Sequence, residues 1–236
     1  VGYLRWACNF AFAPLIISET FGRVAFPAFS RIQYDRELLS RTAERSIRMM
    51  TMIMFPIMGT MLALGPELIH VVFTDRWMPG LNSFYCYCMS PIAIGISMPL
   101  YSTILSLGRS SILLMMSGSL IIFEWTLGVV FVILWGFSGV AMTQLVIVPL
   151  FTCVYKIILL KNGIQINIIK NIFPQFIISS VTVAFIIYLK GLLLVNLTTI
   201  CLLTAISLML HAGLCLVFEK KSLIELIDYL IKSIKR

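Results

Sequence analysis

Residues 110–160 read SSILLMMSGSLIIFEWTLGVVFVILWGFSGVAMTQLVIVPLFTCVYKIILL, and within them only Glu124 and Lys156 are charged. That run decides the fold. A hydrocarbon core about 30 Å thick is crossed by about 20 apolar residues of helix, so the run is too long for one span. It divides at Trp135-Gly136-Phe137-Ser138-Gly139, where two glycines permit a tight turn and the tryptophan marks a headgroup interface. Spans near 112–135 and 138–160 result.

Outward from there, the charge-free runs are 49–66, 77–108, 171–189 and 191–218, with a shorter one at 6–18. The run 77–108 is too short for two spans and a turn, so it holds one, near 82–105, which Pro91 and Pro99 are expected to kink. Seven transmembrane helices are expected, near 1–19, 47–65, 82–105, 112–135, 138–160, 172–189 and 197–218. The fold class is an all-α polytopic membrane protein. Composition agrees: 60% of residues are hydrophobic and 12% charged, against about 25% charged in soluble domains. A soluble enzyme, a secreted disulfide scaffold and a nucleic-acid reader are excluded, and the net charge of +8 is read as the excess of membrane-flanking loops. Cys8, Cys86, Cys88, Cys153, Cys201 and Cys215 all lie in apolar stretches, where a thiol packs as a small hydrophobe. The Cys86-Tyr-Cys88 pair lacks the further ligands a metal needs, and no cofactor is expected. The chain opens on Val1 without a signal peptide, which reads as a start in mid-protein.

Orientation follows from Lys and Arg alone. The connection 20–48 carries Arg23, Arg31, Arg36, Arg41, Arg45 and Arg48. Counted over alternate connections, fifteen of the eighteen basic residues fall on one side and two on the other, with Arg5 at the far end of the first helix. The N-terminus is expected outside and the C-terminus in the cytoplasm, so an odd number of helices would precede residue 1. Two segments are expected on the membrane surface. One begins at Asp35, a helix cap, with Glu37–Arg41 and Glu44–Arg48 at pairing distance along the helix. The other is the tail 219–236, whose Leu223, Ile227, Leu230, Ile231 and Ile234 share a helical face among basic residues.

Ionisable groups inside a membrane are functional candidates because hydrocarbon does not solvate them. Glu124 stands in mid-span: it takes a proton, a cation or an arginine, or serves as a structural partner on the next helix. Gln144 is either that partner or helix-packing glue. Arg5 and Arg23 suit a diphosphate, which the guanidinium fork grips with paired charge-assisted hydrogen bonds; snorkelling to the interface is the competing reading. His211 in the last span is either hydrogen-bonded packing or a proton relay, and His70 an interface anchor. Phosphate loops, nucleophile elbows and zinc-protease motifs are absent from the sequence, which argues against an enzyme.

The stretch FGRVAFPAFSRIQYDR at 21–36, the arginine-studded segment after it and the Met/Ile-rich span with Phe55-Pro56 resemble the polysaccharide transporter (Wzx-like oligosaccharide flippase) family of the MOP exporter superfamily. The likeness continues through 66–77, where the family has a Phe-Gly-x-x-Trp-like motif and this chain has Thr74 in place of the glycine. It includes Leu107-Gly108-Arg109 and the Gly136 and Gly139 turn. The resemblance implies the second lobe of a MATE/MOP-like bundle: five core helices in 1–160, two additional helices in 161–218 and a cytoplasmic amphipathic tail. It also implies a transporter that flips an undecaprenyl-diphosphate-linked oligosaccharide across a bacterial inner membrane for surface polysaccharide synthesis. Its partners would be that lipid-linked substrate, membrane lipids and the missing N-terminal half, with no nucleic acid. A multidrug/cation antiporter of the same superfamily and a membrane-embedded polymerase of the same pathway are the alternatives.

Overall fold

The computed structural model describes residues 2–194 and 196–219, and the expected tail helix beyond them lies outside the described residues. Among the described residues all regular structure is helical. The expected first helix, 1–19, is corrected. It is broken into α1 (Gly2–Phe12) and α2 (Leu15–Arg31). Pro14 has no N–H for the helical ladder and crowds the preceding turn, so α1 stops before it. As the residue leading into α2, where an N–H needs no helical partner, it is tolerated.

The surface helix expected at 35–48 and the span at 47–65 are likewise one element, α3 (Arg36–Ala63). Asp35 caps it as read: the Leu38 N–H donates to Asp35 Oδ1 at 2.9 Å, and Arg41 pairs with Glu37. No glycine or proline occurs between Arg36 and Phe55, so nothing ends the helix where the charges end. Its 28 residues rise about 42 Å, and the arginine-bearing turns extend the span instead of lying beside it.

A one-turn helix, α4 (Gly65–Leu68), a widened turn at Ile69–Phe73 and a 3-10 stretch at Asp75–Gly80 lead into α5 (Leu81–Ser106), which runs through Pro91 and Pro99 without interruption. The quoted run forms the antiparallel hairpin α6 (Ser110–Trp135) and α7 (Gly139–Lys161). It turns at Gly136 with φ of 61°, and a Cβ on Gly139 would fall on the Phe131 carbonyl. Only glycine lets the two backbones close there. The last helices among the described residues are α8 (Ile168–Lys190) and α9 (Leu197–Phe218). Five stretches are long and apolar enough to cross a bilayer. The stretch Ser110–Lys161 is the two-helix hairpin α6–α7, and neither α1 nor α2, in the place of the first expected span, is among the five.

α5 is the hub. On one side α1 and α2 run parallel to it, with Trp6 against Phe84 and Phe12 against Tyr87. On another side α7 also runs parallel, held by Ser83 to Ser138 at 3.1 Å and Ser97 to Thr152 at 2.5 Å. α3 packs antiparallel on a third side, where Gly95 meets Met54. α8 and the connection 162–167 that leads into it then lie along α3, α8 parallel to it, on a ladder of polar contacts. Arg36 donates to the Asn162 carbonyl at 2.6 Å, Ser40 to the Gln165 carbonyl, and the Asn167 N–H to Glu44 at 2.7 Å. Arg48 donates to Asn171 Oδ1 at 2.8 Å, Ser179 to the Phe55 carbonyl at 3.1 Å and Lys190 to the Ala63 carbonyl at 3.1 Å. Each such bond between membrane helices is worth about 0.6 kcal/mol. A Cβ on Gly59 would come within 2.8 Å of Val183, so that glycine sets the close approach. α9 closes the group through Thr60 and Ser207 at 2.6 Å.

These directions give the bundle two ends. Arg31, Arg36, Arg41, Arg45, Arg109, Lys156, Lys161 and Lys170 gather at one, the basic end. At the far end Tyr3, Trp6, Phe10, Phe73, Trp77, Phe84 and Phe137 form a continuous aromatic cluster, as membrane interfaces favour.

Candidate translocation face

α1 and α2 show the site's construction. Ala7, Ala11, Ser18, Phe21, Gly22, Ala25 and Phe29 are buried, and this helical stripe of mostly small side chains seats the broken helix closely on α5. The opposite face carries Arg5, Asn9, Glu19, Thr20 and Arg23, all exposed. Among the described residues none of the three charged groups has an ion-pair partner. Were this face within the bilayer it would not meet lipid, since bare charge there requires water or a polar ligand.

Eighteen residues separate Arg5 from Arg23, about 27 Å along the helix. The two arginines therefore do not converge on one diphosphate. They stand toward the far end and the basic end of this face, and the interruption at Ala13-Pro14 lies between them.

Glu124 and Gln144 are brought together: Gln144 Nε2 donates to Glu124 Oε1 across the α6–α7 hairpin. Both are half-buried. Tyr87 of α5 stacks edge-on against Phe12, the last residue of α1, at 5.6 Å between ring centres. No hydrogen bond or ion pair joins Glu124 or Gln144 to Arg5 or Arg23 among the described residues, so the four sequence-derived candidates form three stations, not one pocket. Asn9, Thr20 and Tyr87 were not singled out from sequence. The spacing Arg5, Asn9, Thr20, Arg23 along one helical stripe was the available signal.

His211 is 97% buried, on the stripe Leu203, Ser207, His211, Cys215 that faces α3 and α8. Neither ring nitrogen has a hydrogen-bond partner among the described residues, so its packing is not the hydrogen-bonded kind expected. His70 pairs with Asp75 at the far end. That carboxylate's hydrogen bond and charge hold the exposed imidazole pKa above its ordinary value.

Two concavities flank α8. A cleft of about 440 Å³ opens at the basic end between α7 and α8, lined by Lys156, Asn167, Ile168, Ile169, Lys170, Phe173 and Pro174. A more apolar groove of about 640 Å³ lies between α8 and α9, with Glu219 at its basic end.

Comparison with known proteins adds two findings. The family model described as "Polysaccharide biosynthesis protein" matches residues 1–81, which bears out the resemblance read from the sequence over that stretch. Among solved structures, lipid II flippase MurJ in an inward closed conformation matches with a TM-score of 0.75 and 17% identity. The match covers 93% of this chain and 47% of MurJ, so the chain spans about half the length of that flippase. At that identity the likeness speaks for the fold alone, a helical bundle shared with half of that structure. No curated protein matches the chain in sequence.

Proposed function

We propose that this chain is the second lobe of a transporter that flips a lipid-linked oligosaccharide, carried on undecaprenyl diphosphate, across a bacterial inner membrane for surface polysaccharide synthesis. The observation that carries the reading is the exposed Arg5–Asn9–Glu19–Thr20–Arg23 face on a broken helix, in a fold that a lipid II flippase shares. In the whole transporter this face would meet the opposing lobe across a water-filled cavity, with residues 1–160 as core and 161–218 as an accessory pair. By the excess of Lys and Arg, the basic end faces the cytoplasm and so does the C-terminus.

The chemistry follows from the spacing. The diphosphate is gripped first at Arg23, near the basic end, and last at Arg5, near the far end; the sugar hydroxyls meet Asn9, Thr20 and the carbonyls freed at the break. Discontinuous helices of this kind line binding sites in many transporters. No group on the path is asked to make or break a covalent bond, so the activity is transport.

The test is complementation. The protein containing this lobe, expressed in a strain lacking its oligosaccharide flippase, should restore surface polysaccharide. A well-expressed protein that leaves the strain bare would overturn the reading.

A further inference from the structure

We propose that the cleft between α7 and α8 binds the headgroup of an anionic bilayer phospholipid, with the phosphate on Lys156 and Lys170. This goes beyond the flippase reading and does not rest on it. The cleft is lined by both lysines and by the start of α8, Asn167 to Lys170. Among the described residues neither lysine has a carboxylate partner. Glu44, the α3 carboxylate that reaches this end of α8, is engaged by the Asn167 N–H at 2.7 Å. Asn167 makes no side-chain capping bond to the first turn of α8, so the N–H donors of that turn add to the two ammonium groups, while the Glu44 carboxylate at the Asn167 N–H offsets the positive helix end. Like charges facing one cleft repel, and an anion relieves that repulsion.

The walls say which anion. Ile168, Ile169, Phe173 and Pro174 make the rest of the lining, and Phe173 and Pro174 also wall the neighbouring apolar groove. A free phosphate has no use for such walls, whereas an acyl chain does. Ile169 and Phe173 are exposed, so the cleft opens on the perimeter of the bundle, where bilayer lipid is in constant supply. The arginine face of α1 and α2 lies on a different side of the α5 hub. Basic pockets between membrane helices recognise anionic headgroups in this way.

Native mass spectrometry of the purified chain, titrated with phosphatidylglycerol or phosphatidylcholine, tests this. Two lysines are worth about thirtyfold in preference for the anionic lipid. Lys156→Gln with Lys170→Gln should abolish the preference, while Lys156→Arg with Lys170→Arg should keep it and so report an intact fold. Equal retention of the two lipids by the native chain would overturn the proposal. So would an unchanged preference in the glutamine variant. A third arm adds undecaprenyl diphosphate: if it displaces phosphatidylglycerol one for one at equal concentration, the cleft belongs to the transported lipid and the proposal fails.

Discussion

Ile16 of α2 and Ile122 of α6 are equally exposed, 67% and 66%, yet they sit on surfaces of opposite chemistry. Around Ile16 the exposed neighbours are Arg5, Asn9, Glu19, Thr20 and Arg23. Around Ile122 they are Leu114, Met115, Phe123, Trp125, Val129 and Ile133. Exposure in an isolated bundle is therefore two different things. On the proposed reading, one face is bare because hydrocarbon covers it, the other because a cavity or an opposing lobe does. The sharpest way to break this contrast is to place the same charge on both. Arginine at the centre of a lipid-facing helix costs about 2.5–3.5 kcal/mol. Ile122→Arg should therefore strip the protein from the membrane fraction and lower its thermal midpoint, and Ile16→Arg should do neither. Equal damage from both would erase the distinction.

The next effect concerns binding on the polar face. A hydrogen bond to a charged group is worth about 1.5–3 kcal/mol, so Arg5→Gln and Arg23→Gln should each weaken retention of undecaprenyl diphosphate by about tenfold or more. Protein level should not change, because neither side chain supports the fold. If both variants bind normally, the arginines are interface anchors. If Arg23→Gln alone fails at the entry step while Arg5→Gln retains bound lipid, the two-station path is sharpened.

Glu124 tests the border between the faces, as the one carboxylate on an otherwise apolar helix. Removing it strands the half-buried Gln144 amide, which costs about 1–3 kcal/mol. Glu124→Leu should thus lose stability, and adding Gln144→Leu should restore it while transport stays impaired. If the double variant transports normally, the pair is only a structural clasp.

How much of this was legible depends on the distance over which the signal travels. Hydropathy located the five stretches long and apolar enough to cross a bilayer, because solvent decides that residue by residue. The Glu124–Gln144 pairing was legible too, since both lie on a hairpin whose turn at Gly136 fixes their register. Asp35 was read correctly as a cap, but the end of its helix was misplaced: charge stops at Arg48, whereas a helix stops only for backbone reasons and none arises there. The break at Pro14 was hidden inside an apolar run. The α3–α8 ladder was beyond reach because its rungs join residues more than 120 positions apart. Only the stripe Asn171, Gln175, Ser179 and Thr182, all buried, hinted that α8 had a polar neighbour. The arginine stripe of α1 and α2 was legible as residues but not as a face, since burial of the other side shows only in the packing.

The smallest effects lie in the connection from α3 to α5, the hub that sets the two faces apart. Thr74 has φ of 95° and ψ of 153°, a region that glycine occupies freely and a β-branched residue does not. This accounts for the glycine that the family resemblance leads one to expect. Strain of this kind is worth about 1 kcal/mol or more, so Thr74→Gly should raise the thermal midpoint by about 2–4 °C. An unchanged or lower midpoint would mean that the turn relaxes around threonine. His70 and Asp75 clasp the same turn from either side. Because Asp75 raises the His70 pKa in the folded state, the clasp is fully present below the unfolded value and is lost as pH rises through the folded one. A histidine titration by NMR should place His70 above the ordinary value of about 6.5, and Asp75→Asn should return it there. If His70 titrates normally in the native chain, the clasp does not form, and the strained turn at Thr74 holds α5 without it.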